Sequence, residues 1–163
     1  MIIVGHRGAR NEAPENTIEG FVHASAKGCR HFELDIQLSQ DHELVVFHDT
    51  TLFRTTGVRG KVTQFSLEQL QSLDASRSHM GSLGTGNASH IPSLQGVIDL
   101  TPDAVHWQFE VKTDARCRLA ILTHKLHHFI QQNALEDKVC VTSSNRWFLD
   151  NMKQCYPSVS TGY

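Results

Sequence analysis

Short apolar segments rich in β-branched residues alternate along the chain with segments whose apolar residues recur at helical spacing. This rhythm is typical of parallel strands that are joined by helices. It predicts an α/β fold in which five parallel strands are separated by helical or irregular connections. The predicted strands lie near residues 2–6, 31–38, 107–112, 139–143 and 159–163.

Capping residues mark the boundaries of the predicted helices. Asn16 is predicted to cap the first helix, because Glu19 follows three residues later as in a capping box and Gly28 provides a stop. The apolar stripe of residues 114–135 predicts the longest helix, and Asn145 is predicted to cap the last one. Shorter helices are predicted at Ser66–Leu73 and Ser93–Thr101.

The second predicted strand is followed closely by another apolar segment. Residues 44–48 begin after a gap of only five residues, whereas a parallel crossover requires about a dozen. We therefore predict an antiparallel hairpin that turns near Asp41 and His42. This turn would place His48 beside Asp35, and a slip of one residue would change which side chains face each other.

The stretch from residue 49 to residue 92 shows little periodicity. Connections of this length in compact domains are usually lids or insertions. The glycine-rich residues 80–87 do not follow a strand, so a phosphate-binding loop is not expected there. We predict a single domain over residues 1–163, with an insertion over roughly residues 39–92.

Composition narrows the class of protein and its compartment. The chain has 163 residues, 39% of them hydrophobic, and its formal net charge of −2 gives no basic surface for nucleic acid. No apolar run reaches the roughly 18 residues of a membrane span, and the N-terminus lacks the regions of a signal peptide. The four cysteines form no Cys-x-x-Cys pair and are interpreted as buried free thiols. We expect a cytoplasmic protein without nucleic-acid partners or a membrane span.

Two predicted strands carry charged residues on one face. Glu33 and Asp35 alternate with apolar residues in the second strand, and Glu110 and Lys112 do so near residues 107–112. A closed parallel barrel can hold such charges near the carboxyl ends of its strands, where barrel active sites lie. Carboxylates that converge there repel one another unless they are protonated or bridged by a cation such as Mg²⁺ or Ca²⁺. An open sheet with one solvated face would give the same alternation, so the spacing leaves both arrangements open.

Two histidines end predicted strands. His6 and His48 would both reach the strand ends, where a histidine pair can supply acid and base steps near neutral pH. Arg7 could form a paired hydrogen bond with a phosphate group. Structural hydrogen bonds for the histidines and a surface ion pair for the arginine are the alternatives. The spacing does not decide between these roles.

Seven short motifs follow one another along the chain. They are His6–Gly8, Ala13–Thr17, Glu33–Asp35, Val45–Asp49, Thr51–Thr56, Ile91–Leu94 and Glu110–Lys112. In these motifs and in their order, the sequence resembles the glycerophosphodiester phosphodiesterase family, collinearly from residue 1 to about residue 113. From residue 114 onward only the rhythm of helices and strands agrees.

The resemblance implies a TIM-type (β/α)8 barrel that hydrolyses glycerophosphodiesters to glycerol 3-phosphate and an alcohol. It implies that Glu33, Asp35 and Glu110 bind one divalent cation, either Mg²⁺ or Ca²⁺. It also implies that His6 and His48 are the general acid and base, without indicating which is which. The cation would stabilise the charge that develops on the phosphoryl oxygens.

Three further residues receive roles from the resemblance. Arg7 and Lys112 would contact the phosphate of the substrate, and Glu15 would support the site. The expected partner is therefore a small-molecule glycerophosphodiester.

The predicted strand count departs from the family pattern. A complete TIM barrel has eight parallel strands and about 250 residues, so the five strands found here predict a truncated barrel. The chain would then be a fragment, a decayed copy, or a barrel completed by self-association or by a missing C-terminal segment. The alternatives to an active hydrolase are a weak or inactive metal- and phosphate-binding fragment and a phospholipase D-like phosphodiesterase.

Overall fold

The computed structural model of the chain describes residues 1–79, 88–114 and 118–163. The glycine-rich segment 80–87 and Cys117 lie outside the described residues. The strands are β1 (Val4–His6), β2 (His31–Leu38), β3 (Leu44–Val46), β4 (His106–Val111), β5 (Val139–Thr142) and β6 (Ser160–Gly162). The helices are α1 (Ile18–Ala26), α2 (Phe53–Thr56), α3 (Leu67–Gln71), α4 (Leu94–Asp99), α5 (Leu119–Gln132) and α6 (Arg146–Cys155), with a 3₁₀ turn at Val62–Gln64.

One sheet organises the described residues. Its parallel part has the order β1-β2-β4-β5-β6, and β3 pairs with β2 in the antiparallel direction outside this row. The prediction of five parallel strands is therefore confirmed. Because all five strands run in one direction, their carboxyl ends meet along one edge, where side chains from different strands can converge.

Strand β2, which pairs with β1, β3 and β4, is buried on both faces. On one face Phe32 stacks on Trp107 with ring centroids 4.9 Å apart, and Phe21 lies edge-on to Phe32 at 6.0 Å. Each apolar side chain of this size stabilises the fold by about 1.5–3 kcal/mol when it is buried. The opposite face is buried as well, but it carries Glu33 and Asp35. The strand therefore joins the apolar core to a buried polar surface.

A second, smaller apolar cluster lies within the long connection between β3 and α4. Its buried members are Val45, Phe47, Leu52, Val62, Leu70, Ala75 and Ile91. An isolated antiparallel bridge between Val45 and Ser93 ties the end of this connection back to β3. The connection thus has a core of its own, which holds α2 in place relative to the sheet.

The first helix begins one residue later than predicted. Thr17 is the N-cap, and its hydroxyl accepts a hydrogen bond from the Gly20 amide at 3.3 Å. Asn16 instead has a left-handed φ of 55°, and its side-chain amide donates to Asp35 Oδ2 at 2.8 Å. The prediction of Asn16 as the cap is wrong because asparagine suits both positions, and the bond to a distant strand decides between them.

The register of the β2–β3 pair differs by one residue from the prediction. Ile36 pairs with Val46, and the amide of Phe47 donates to the carbonyl of Asp35 at 3.0 Å. Phe47 therefore lies opposite Asp35, and the predicted pairing of His48 with Asp35 is wrong. The burial of Phe47 in the second apolar cluster explains the observed register, because a shift of one residue would turn that ring away from the cluster.

Other element boundaries shift at their ends. β1 begins at Val4, so the predicted strand residues Ile2 and Ile3 are exposed. The long helix α5 begins at Leu119, within the predicted range. Asn145 caps α6 as predicted, with its side chain accepting a backbone amide at 3.1 Å. These boundary differences lie at the ends of elements, where local patterns are weakest.

Three described cysteines are free thiols: Cys29 and Cys140 are half-buried, and Cys155 is exposed. The prediction of burial is therefore wrong for Cys155, which is the last residue of α6. Within the described ranges, no helix combines the length and the hydropathy that crossing a membrane requires.

Gly8 is the point at which the loop after β1 touches α1. Its φ is 81°, and a Cβ added there would lie 2.7 Å from the carbonyl carbon of Gly20. We predict that Gly8→Ala lowers the free energy of unfolding by about 3 kcal/mol, because left-handed strain and backbone overlap both oppose the methyl group. Urea and thermal unfolding measure this loss.

Gly28→Ala is the matched control for this prediction. Gly28 has a φ of 90°, but a Cβ there would meet nothing within 4 Å. The control should lose only the roughly 1 kcal/mol of left-handed strain. Equal losses in the two variants would contradict the close approach of Gly8 to α1.

Candidate active site

Three carboxylates converge at the carboxyl edge of the sheet. Glu33 and Asp35 project from β2 and Glu110 from β4, and the parallel register pairs Asp35 directly with Glu110. One oxygen from each carboxylate lies within 4.8 Å of the other two. Among the described residues, no other group of three or more Asp, Glu, His or Cys side chains lies this close together. The fold therefore brings together the three residues predicted to bind a cation.

The environment of this trio opposes full ionisation. Glu33 is 5% exposed and Asp35 is 0% exposed. Burial, followed by the negative charge of Asp35, raises the pKa of Glu33 to about 7. Glu33 Oε1 is buried and has no hydrogen-bond partner, and the nearest donor to buried Asp35 Oδ1 is Lys112 Nζ at 3.1 Å. Hard oxygen atoms left in this state fit a divalent cation such as Mg²⁺ or Ca²⁺, which would relieve their repulsion.

Two basic side chains, both predicted to contact phosphate, lie against the trio. Arg7 Nε is 3.2 Å from Asp35 Oδ2, and Lys112 Nζ is 3.1 Å from Asp35 Oδ1. Lys112 also donates a hydrogen bond to Glu110. Burial opposes the charge of Lys112, but the bond to Glu110 and the charge of Asp35 outweigh it and raise the pKa of Lys112. Lys112 therefore stays cationic, and together with the guanidinium of Arg7 it offsets part of the negative charge.

His6 ends β1 on the other side of Glu33. Its Nε2 lies 3.6 Å from Glu33 Oε2, and its Nδ1 lies 3.2 Å from Arg10 Nη1. Partial burial, followed by the positive charges of Arg7 and Arg10, lowers the pKa of His6. The imidazole is therefore neutral near pH 7 and is able to accept a proton.

Glu33 also anchors the loop that follows β1. Arg7 has a left-handed φ of 54°. Its amide is 3.0 Å from both the side-chain Oε2 and the carbonyl oxygen of Glu33. The carbonyl of Arg7 in turn accepts the Asn16 amide at 3.0 Å. These bonds hold the arginine over β2, the strand that carries Glu33 and Asp35.

His48 follows β3 and is held by a separate set of contacts. Its Nδ1 lies 2.6 Å from Asp49 Oδ1. Gln37 Nε2 donates to the carbonyls of Phe47 and Asp49 at 2.8 Å each, which fixes the backbone on both sides of the histidine. With Nδ1 engaged by a carboxylate, Nε2 is the nitrogen that remains for proton exchange.

A series of ion pairs connects His48 with the trio. Arg54 of α2 bonds to both Asp49 and Glu15, and Glu15 accepts a bond from Arg7 at 3.1 Å. Burial acts to raise the pKa of Glu15, but the bonds and charges of Arg54 and Arg7 outweigh it and lower the pKa. Glu15, predicted as a supporting residue, thus bridges two arginines.

The sequence patterns did not predict a role in the site for Asn16, Asp49 or Arg54. Asn16 donates to Asp35 from a position that also suits a helix cap. Asp49 and Arg54 lie within motifs 45–49 and 51–56, but Asp49 is recognised as an orienting partner from its bond to His48 and not from its position in the sequence. The bonds of Arg54 to a residue 39 positions away gave no local signal.

Relatives of known family match nearly the whole chain. The family model described as the glycerophosphoryl diester phosphodiesterase family matches residues 6–161. The glycerophosphodiester phosphodiesterase of Caldanaerobacter subterraneus subsp. tengcongensis is 34% identical over 99% of this chain and 65% of that protein. The Bacillus altitudinis protein of the same name is 32% identical over 96% of this chain and 63% of its own length. The chain thus spans slightly less than two thirds of these curated relatives.

Solved structures show the same fold. A glycerophosphodiester phosphodiesterase from Agrobacterium tumefaciens has a TM-score of 0.84 at 26% identity, over 99% of this chain and 65% of that one. An Oleispira antarctica phosphodiesterase in complex with the product sn-glycerol-3-phosphate has a TM-score of 0.81 at 26% identity, over 100% of this chain and 65% of its own. These neighbours are of the TIM-barrel type, which agrees with the parallel α/β sheet described above. Since sequence and fold agree over almost all of its length, the chain belongs to the glycerophosphoryl diester phosphodiesterase family.

Proposed function

We propose that this chain carries the site of a metal-dependent phosphoric diester hydrolase, which converts glycerophosphodiesters to glycerol 3-phosphate and an alcohol. The observation that carries the proposal is the convergence of three carboxylates, a neutral histidine and two basic side chains at one edge of the sheet. The sn-glycerol-3-phosphate bound by the Oleispira antarctica relative supports the substrate class.

Glu33, Asp35 and Glu110 would hold one cation, either Mg²⁺ or Ca²⁺. When bound, such an ion stabilises negative charge on the phosphoryl oxygens and relieves the repulsion within the trio. Arg7 and Lys112 border the same carboxylates and would bind the phosphate of the substrate. The guanidinium of Arg7 suits this role because it offers paired donors to two phosphate oxygens.

The two histidines would move the protons. His6 is neutral near pH 7 and would accept a proton from the attacking water. His48 is held by a carboxylate at Nδ1, so its Nε2 is the nitrogen that would donate a proton to the leaving alcohol. Glu15 would support both sides of the site through its two arginines.

The long connection would cover this site. We propose that residues 1–163 belong to one domain and that an insertion over roughly residues 39–92 lies over the carboxyl edge. The second apolar cluster and the bonds from α2 to Glu15 support this arrangement.

The edge formed by β1 is open in the described residues. Met1, Ile2, Ile3 and Val4 are each at least 50% exposed, and a cavity of about 870 Å³ lies between this edge and α1. An uncovered apolar strand edge favours pairing with another strand. We propose that a second copy of the chain, or a further segment of the same protein, covers it. Without such a cover, the site would bind cation and phosphate with little turnover.

Removal of a carboxylate should weaken cation binding. We expect Glu33→Gln, Asp35→Asn and Glu110→Gln each to raise the Kd for Mg²⁺ or Ca²⁺ by about tenfold or more, because each loses one charged ligand. Binding by the parent chain should also weaken as the pH falls through about 7, because the cation must displace the proton held by Glu33. Titration calorimetry at several pH values measures both effects.

Glu43→Gln is the matched control for the cation measurement. Glu43 is an exposed glutamate that pairs with Lys125 outside the trio, so its replacement should leave the Kd unchanged. Melting curves of each variant show whether the fold is retained. Unchanged affinity in all three site variants would rule out these ligands.

Replacement of either histidine should slow turnover. We expect His6→Ala and His48→Ala each to lower kcat for glycerophosphocholine hydrolysis by about 100-fold, with cation affinity nearly unchanged. Release of glycerol 3-phosphate measures the rate, and a chelator should abolish it. His124→Ala, on α5, is the control and should retain the parent rate. Full activity in a His6 or His48 variant would remove that residue from the mechanism.

The open edge predicts association in solution. Light scattering should show the 163-residue chain as a dimer or larger, and Ile3→Lys should shift it towards monomer because a charged edge resists strand pairing. Leu100→Lys, at another exposed apolar position, should leave the mass unchanged. A monomeric parent that melts above about 65 °C, beyond the usual mesophile range, would contradict the proposed pairing.

A further inference from the structure

Arg54 donates four charge-assisted hydrogen bonds to two carboxylates. Its Nε and Nη2 bond to Asp49 Oδ2 and Oδ1 at 2.7 and 3.0 Å. Its Nη1 and Nη2 bond to Glu15 Oε2 and Oε1 at 2.9 and 2.7 Å. Both carboxylates are thus held through both of their oxygens, which the planar guanidinium fork permits and a lysine ammonium does not.

Each of these carboxylates has a second partner in the candidate site. Asp49 Oδ1 is 2.6 Å from His48 Nδ1, and Glu15 Oε1 accepts a bond from Arg7 Nη1 at 3.1 Å. His48 and Arg7 lie on separate segments, one after β3 and the other after β1. Arg54 therefore connects His48, the proposed proton-transfer group, with Arg7, the proposed phosphate-binding group, through one carboxylate on each side.

We propose that Arg54 is a positioning residue for the hydrolase. It holds Asp49 so that Asp49 keeps the proton of neutral His48 on Nδ1, and it holds Glu15 so that Glu15 orients Arg7. The effect of Arg54 on turnover rests on the proposed function. Its effect on the tautomer of His48 can be measured without substrate and does not depend on that function.

The surroundings favour a positioning role over a purely structural one. The side chain of Arg54 is 42% exposed, so solvent screens its ion pairs and reduces their contribution to the free energy of unfolding. The hydrogen bonds of Arg54, then those of His48, outweigh burial and lower the pKa of Asp49 to about 2. Asp49 is therefore ionised throughout the pH range in which a histidine exchanges protons. Loss of Arg54 should disturb the orientation of its two carboxylates more than it disturbs folding.

The first measurement follows His48 in the absence of substrate and cation. Nitrogen-15 NMR of the imidazole, assigned by comparison with His48→Ala, reports which ring nitrogen carries the proton of the neutral form. The parent should carry it mainly on Nδ1, and Arg54→Ala should lose this preference. Added guanidinium ion should restore the preference in Arg54→Ala, whereas Arg54→Lys should recover only part of it because an ammonium lacks the fork.

The second measurement follows turnover of glycerophosphocholine. Arg54→Ala should lower kcat by about tenfold or more, since a small misplacement of reacting groups is enough for such a loss. Guanidinium should restore part of the rate, as it restores the tautomer. Arg77→Ala is the matched control: Arg77 lies in the same connection with its guanidinium 5.0 Å from the Phe53 ring, and it should leave both readouts unchanged.

These outcomes separate the inference from the proposed function. A parent chain that does not hydrolyse the substrate counts against the proposed function, and the tautomer measurement still decides on Arg54. Retention of the parent tautomer and the parent kcat in Arg54→Ala would overturn the inference. If Arg54→Ala does not fold, as judged by circular dichroism, Arg54→Lys decides the same question with the charge retained.

Discussion

Negative charge buried on β2 is the constraint on which the rest of the site depends. Glu33 and Asp35 share one face of β2, Glu110 faces them from β4, and little solvent reaches the first two. Burial of an ionised carboxylate is strongly unfavourable unless protons, cations or hydrogen-bond donors offset it. The structure offsets this cost in three ways. The raised pKa of Glu33 favours its protonated form, Arg7 and Lys112 place positive charges beside Asp35, and the side-chain amide of Asn16 donates a hydrogen bond to Asp35.

The same strand explains why these charges cannot escape to water. Side chains alternate between the two faces of β2. A rotation of the strand that exposed Glu33 or Asp35 to solvent would therefore also move Phe32 and its apolar neighbours out of the core. The apolar face therefore holds the carboxylates in place. Folding energy from the core is used to keep a charged cluster together at the carboxyl edge, where barrel enzymes place their chemistry.

The site is assembled from two parts with separate packing. The trio, His6 and Arg7 are positioned by β1, β2 and β4, whereas His48 and Asp49 belong to the connection that packs on the second apolar cluster. Hydrogen bonds from Gln37 and the ion pairs around Arg54 join the parts. Gln37 is buried, whereas the ion pairs around Arg54 are partly exposed, so solvent screening reduces their effect on overall stability.

The sequence predicts the parallel strands and the two faces of β2, because strand alternation is a local property, and its ordered motifs single out the three acidic residues. It did not determine the partner of Asp35 in the hairpin, since burial of Phe47 in a second cluster decided a register that the alternation allowed to slip. Nor did it reveal that Asn16 serves the site instead of the helix. That choice, like the bonds of Arg54 to a residue 39 positions away, depends on contacts that exist only after distant segments have packed together.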